Sequence, residues 1–130
     1  MSKTNIDRPN VVYHMLPRTQ WEALQPGAPY TCATLDSEGF IHCTGDADLL
    51  VQVANHHYRQ EPGEWLILSI DTRRLTSTLR WEAADGDEFP HVYGVIEPES
   101  IVDVSPFPRT SDGAFMAPEF AGALATGGGS

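Results

Sequence analysis

Apolar and polar positions alternate in short blocks along the chain, and each block predicts one element. Val11-Val12-Tyr13-His14-Met15 has the β-branched and aromatic bias of a strand. Pro17 then predicts a short amphipathic helix, because proline at a first helical position loses no needed N–H and has its φ already set. Trp21 and Leu24 fall three apart on one face of that helix, Arg18 and Glu22 turn to water, and Pro26-Gly27 ends it. Glu38-Gly39 predicts a turn into a second short strand, Phe40-Ile41-His42-Cys43. The clearest periodicity follows: Ala47, Leu50, Val51, Ala54 and Tyr58 keep the i, i+3, i+4 spacing of a helix from Gly45 to about Tyr58. Thr44 is the expected N-cap, with Asp46 and Asp48 suited to the positive helix end. Trp65-Leu66-Ile67-Leu68-Ser69-Ile70 is almost continuously apolar and predicts a central strand covered on both faces. Asp71 to Leu75 reads as a polar turn, Leu79 to Glu82 as a half-buried strand, Ala83 to Glu88 as an acidic loop, and Ile101 to Val104 as a last strand. Mixed strands with two clear helices predict an α+β class, a strongly bent sheet with helices packed on it.

The same pattern sets boundaries. Residues 1–10 are polar and aperiodic and read as a loose arm, 11–108 as one α+β domain, and 109–130 as a disordered tail whose end is small-residue low complexity.

Charge narrows the function classes. Eighteen acids face eight bases among 130 residues, a net charge of −10. Seven of the bases and sixteen of the acids precede residue 109, so the acidity belongs to the domain. That balance argues against double-stranded nucleic acid, which needs a basic face. No apolar run approaches the ~18 residues of a membrane span and no signal-peptide core is visible, so the expected location is the cytoplasm. Cys32 and Cys43 are too few for a disulfide framework and are expected to be inert thiols. The expected partner is a small molecule.

Phosphate-loop, G-x-G-x-x-G, H-E-x-x-H and C-x-x-C motifs are all absent from the sequence. What remains is histidine placement. His14, His42 and His91 lie in apolar segments at or near strand ends, where converging imidazoles serve as acid–base or ligand-holding groups. Each taken alone reads first as a buried histidine bonded to backbone; it is three in comparable settings that point to a shared site. Three imidazoles also suit zinc with water as fourth ligand, although the spacing matches no compact metal motif. His56 and His57 are neighbours on a helix and point apart. Seven of the eight bases are arginine, so a bound phosphate would be held by guanidinium, with Arg18 closest to His14 and Arg80 alternating with Trp81. Glu82 and Glu88 are acids near the third histidine and are expected to be solvated.

These residues resemble a known family. Tyr13-His14, Trp21, Glu38-Gly39-Phe40-Ile41-His42-Cys43-Thr44, Ala54-Asn55, Trp81-Glu82 and Phe89-Pro90-His91-Val92-Tyr93-Gly94 occur in the order of the domain-of-unknown-function 952 family. That family looks like a distant relative of the ADP-ribosyltransferase superfamily, whose split sheet clasps NAD in a central cleft. The resemblance implies a compact split sheet and a nucleotide-like ligand, with NAD as substrate. By position it gives His14 the first-strand role of holding the dinucleotide and Phe40 to Thr44 the second-strand contribution. Where the protein-modifying branches carry a late catalytic glutamate, this chain has Phe89-Pro90-His91; the RNA 2'-phosphotransferase branch also works without that glutamate. The expected site is thus His14, His42 and His91 for catalysis, with His14, Arg18, Thr44 and Tyr93 toward the ligand: Thr44 orienting a phosphate or hydroxyl, Tyr93 stacking on a flat ring. A non-catalytic ligand-binding or interaction module and a His-ligated zinc hydrolase are the alternatives.

Overall fold

All seven residues Trp65–Asp71 are buried, as a strand covered on both faces must be, and the rest of the chain is arranged around them. A computed structural model describes residues 8–84 and 86–119. In chain order the elements are β1 (Val11–Pro17), α1 (Arg18–Glu22), α2 (Ala33–Glu38), β2 (Ile41–His42), α3 (Ala47–Tyr58), β3 (Trp65–Asp71), β4 (Thr78–Ala84), β5 (Asp87–Tyr93) and β6 (Ile101–Phe107). Single 3₁₀ turns, Thr72–Arg74 and Pro98–Ser100, follow β3 and precede β6. The strands form two antiparallel three-stranded sheets, ordered β1-β3-β6 and β2-β5-β4. This is a small α+β fold with few helices.

The faces of the first sheet explain its two cores. Alternation along β1 buries Val12, His14 and Leu16 on one face. Val12 and Leu16, with Leu66, Leu68 and Ile70 of β3, pack against Ile41 and Val92 of the second sheet. The opposite face turns Trp65 and Ile67 toward Leu50 and Ala54 of α3 and toward Phe107 and Phe115. Both cores are aliphatic and aromatic, and burial of that surface is the main driving force of folding.

Several expectations are corrected. α3 starts at Ala47, not Gly45, and its cap is Asp46, whose carboxylate accepts from the Leu49 N–H at 2.9 Å. Thr44 lies two residues before that cap, with its N–H and carbonyl paired to Tyr13. Gly45 is a packing position: a Cβ there would fall 2.7 Å from the Trp81 ring. Asp46→Ala should therefore cost about 1 kcal/mol of stability in urea unfolding, and an unchanged midpoint would remove the capping role. Within the stretch 83–88 expected as a loop, Ala84 pairs with Asp87 and Ala83 with Glu88 in a β4–β5 hairpin. Gly86 (φ +86°) supplies the turn, and Arg8 grips Glu88 through both carboxylate oxygens at 2.8 and 2.9 Å. α2 was not anticipated. It ends on Gly39 in the left-handed region (φ +92°), which glycine adopts without strain and which sends the chain into β2.

Arg109 to Phe115, expected as part of a tail, pack as a fold element. Arg109 bridges to Phe115 across a turn, and Phe115 is buried in the second core. Residues 1–7 of the expected arm and 120–130 of the expected tail lie outside the described residues.

Candidate functional site

The first sheet meets the segment after β2 through a single bridge. Tyr13 N–H donates to the Thr44 carbonyl at 2.7 Å and Thr44 N–H to the Tyr13 carbonyl at 2.8 Å. One residue further along β1 a side chain takes over the seam. His14 Nδ1–H donates to the His42 carbonyl at 2.6 Å. A carbonyl only accepts, so Nδ1 carries the proton and Nε2 is the lone-pair nitrogen; it accepts from the Tyr30 hydroxyl at 2.8 Å. Burial pushes the His14 pKa down to about 4, against the opposing pull of the His42 carbonyl. Burial likewise raises the Tyr30 hydroxyl, which stays a donor at neutral pH. His14 is therefore a neutral strut between the sheets with both nitrogens in use.

Beside this seam lies a cleft of about 950 Å³ lined by His14, His42, His91 and Thr44, with Phe40 and Phe89 among its aromatic walls. His42 and His91 are opposite one another in the β2–β5 register, and their rings meet edge-on at 5.3 Å. Phe40 stacks on His91 at 4.1 Å and touches His42 at 4.7 Å. His42 is half-exposed, with Nε2 3.0 Å from a Glu38 carboxylate oxygen one helical turn earlier in sequence. His91 is buried, and its Nδ1 lies 2.7 Å from Glu82 Oε1. The carboxylate accepts, so this nitrogen is the protonated one. The Tyr93 hydroxyl donates to the same oxygen. Tyr93, then His91, hold the Glu82 carboxyl below the usual carboxylate range, and the bond to Glu82 raises the Tyr93 hydroxyl.

The three histidines singled out in the sequence thus share one cleft, together with Thr44. Arg18 does not reach it. α1 leaves the Pro17 end of β1, and the guanidinium is held by Glu22 at 2.8 Å and Glu64 at 3.1 Å. Tyr93 also stands outside the lining: its hydroxyl is spent on Glu82, and its ring lies 5.2 Å from Phe40 with the Arg80 guanidinium 5.4 Å from its centre. Thr44 lines the cleft from the bridge and not from a helix N-terminus. His56 and His57, near the end of α3, also line the cleft. Burial raises the Cys43 thiol, in keeping with an inert cysteine. Among the described residues no group of three or more His, Cys, Asp or Glu is disposed to hold a metal ion, and His14 has no nitrogen left to ligate one.

A family model described as "Protein of unknown function (DUF952)" matches residues 15–104. The chain belongs to the DUF952 family. The match takes in His42, Thr44, Glu82 and His91, while His14 stands one residue before it. Solved structures of protein CC0527 from Caulobacter crescentus share the fold. Its crystal structure has a TM-score of 0.70 at 24% identity, covering 88% of this chain and 98% of that one. A double mutant gives the same TM-score at 23% identity, and the solution NMR structure gives 0.65 at 24% identity over 81% and 90% of the two chains. No curated protein matches the chain. No described helix of this DUF952 protein is long and apolar enough to cross a membrane.

Proposed function

We propose that the histidine-lined cleft binds or transforms a nucleotide-like small molecule of the NAD or ADP-ribose type. The observation that carries this reading is the gathering of His14, His42, His91 and Thr44 around one cleft with aromatic walls. A flat ring has Phe40 and Phe89 to lie against, and ribose hydroxyls have imidazole and threonine groups to bond. Two antiparallel sheets joined by one bridge beside a cleft also suit the ADP-ribosyltransferase resemblance. The charge pattern shapes the affinity. Glu38 and Asp87 line the cleft, and no described lysine or arginine does. A pyrophosphate therefore finds no guanidinium fork, and recognition falls on the ring and sugar.

The expected dissociation constants for NAD and ADP-ribose lie in the high micromolar range or above, about −5 kcal/mol or weaker. Following amides near His14, His42 and His91 by NMR during titration tests this. Loss of the shifts in His42→Ala, with the remaining spectrum intact, supports the site; no shifts at millimolar NAD or ADP-ribose sink it. The non-catalytic reading has one observation in its favour, the occupation of both His14 nitrogens by protein groups. Turnover of bound NAD separates it from the enzymatic reading. The zinc hydrolase has no such support, because its three histidines present no common set of free nitrogens.

A further inference from the structure

Five imidazoles line the cleft, and the partners of His14, His42 and His91 make those three unequal. Both nitrogens of His14 are held by the fold. His42 is half-exposed and spends Nε2 on Glu38, itself part of the lining. His91 differs from both. Its Nδ1–H is tied backward to Glu82, and Glu82 and Tyr93 stand outside the lining while His91 is part of it. No described residue bonds its Nε2. With Nδ1 engaged by Glu82, the lone pair of Nε2 is what the fold leaves unused on this cleft-lining ring.

We propose that His91 is the acid–base residue of the cleft, and that Glu82 and Tyr93 are positioning residues that hold it as the Nδ1–H tautomer with Nε2 as the base. This rests on the cleft being a ligand site for a molecule bearing ribose-like hydroxyls. The geometry follows from the hairpin. Glu82 pairs with Phe89 across β4 and β5, so His91 is its diagonal neighbour on the same face, within reach of a long side chain. Tyr93, two residues on, returns to that face and closes on the same carboxylate oxygen. Phe40 covers the ring at 4.1 Å and restricts its rotation. A ligand hydroxyl docked on Nε2 donates a hydrogen bond to it; as that oxygen bonds to an electrophilic carbon and displaces its leaving group, the proton passes to Nε2 and the imidazolium formed is paired with the Glu82 carboxylate. Tyr93 keeps its own proton and fixes the carboxylate. A carboxylate behind an imidazole is the general device for setting tautomer and basicity.

Long-range proton–nitrogen NMR of the ¹⁵N-labelled full chain at pH 8 reads each nitrogen of His91 directly. The wild-type ring should carry its proton on Nδ1 with Nε2 bare. Adenosine, which has ribose hydroxyls and no phosphate, should move the Nε2 resonance and leave Nδ1 in place. In Glu82→Leu the tautomer preference should disappear and adenosine binding should weaken roughly 5- to 10-fold, as loss of one oriented hydrogen bond does. Tyr93→Phe keeps the carboxylate and should retain the tautomer with a smaller loss of affinity. Because Glu82 is partly exposed and its variants leave both cores untouched, folding is checked by the unchanged amide pattern of β1 and β3. A wild-type His91 protonated on Nε2, or a Glu82→Leu variant that keeps the Nδ1–H form, overturns the positioning role. Cleft amides that shift with adenosine while Nε2 stays still overturn the acid–base assignment alone. No cleft shift with adenosine or ADP-ribose overturns the ligand reading beneath it.

Discussion

Phe115→Ala is expected to destabilise the protein by about 3 to 4 kcal/mol, within the range of large-to-small core substitutions, and to lower Tm by roughly 10 °C or more. The ring is 3% exposed. It meets Trp65 edge-on at 5.8 Å and Phe107 at 4.7 Å, and the Arg109 guanidinium lies 4.3 Å from its centre. Asn55 pins the backbone beside it, accepting from the Phe115 N–H at 2.7 Å and donating to the Phe115 carbonyl at 3.0 Å. Alanine keeps these backbone bonds and leaves a cavity under α3, so the loss reports packing. Met116, 45% exposed on the neighbouring position, is the control; Met116→Ala should shift the midpoint by no more than about 0.5 kcal/mol. Equal midpoints for Phe115→Ala and the parent would show that the residues after Arg109 are not part of the folding unit.

That element was invisible in the sequence for a physical reason. Phe115 is one isolated aromatic among small and polar residues, so no period of 2 or 3.6 marks it. Its docking depends on Asn55, sixty positions earlier, and such non-local pairs leave no local signature. Where periodicity is strong, the elements follow it: the continuous apolar run 65–70 lies within the central strand, and the stripe from Ala47 to Tyr58 is α3. α2 leaves no mark in the sequence because its six residues carry no apolar stripe, and its stop signal, Gly39, is equally a turn signal. Acidic residues 83–88 resembled a loop because exposed hairpin positions tolerate charge. Pairing of Ala83 with Glu88 and of Ala84 with Asp87, rather than burial, holds those four residues in strands.

The candidate site was legible in part. Histidines embedded in apolar strand ends stood out because an imidazole there must find partners, and all three border the cleft. Their partners did not stand out. Tyr30 lies in an irregular segment, and only the fold brings its hydroxyl to His14. Glu82 reads in the sequence as a solvated acid near the third histidine; its diagonal cross-strand contact depends on hairpin register, which no local pattern carries. Sequence proximity puts Arg18 near His14, but four residues across a strand end carry it to Glu22 and Glu64 instead.

The His14 strut makes acid sensitivity a property of the fold. With the folded-state pKa near 4 and an unperturbed imidazole near 6.5, the unfolded chain takes up a proton between those values while the native ring does not. Stability then rises with pH across this window: it is complete above about 6.5, falls as the pH drops toward 4, and loses nothing further from this group below that. The full loss corresponds to about 3 kcal/mol. Carboxylates held low in the fold, Asp71 and Glu82 among them, act in the same direction but at the acidic end. His14→Phe removes the titration and keeps a buried ring. It should be less stable at pH 7.5, because the His42 carbonyl and the Tyr30 hydroxyl lose their partner at about 1 to 3 kcal/mol each. Its decline from pH 6.5 to 4 should be shallower than the parent's by those same ~3 kcal/mol. Urea unfolding at half-unit pH steps measures both slopes. Parallel slopes would mean that His14 takes up its proton in the native state as readily as in the unfolded one, and the neutral strut between the two sheets would have to be abandoned.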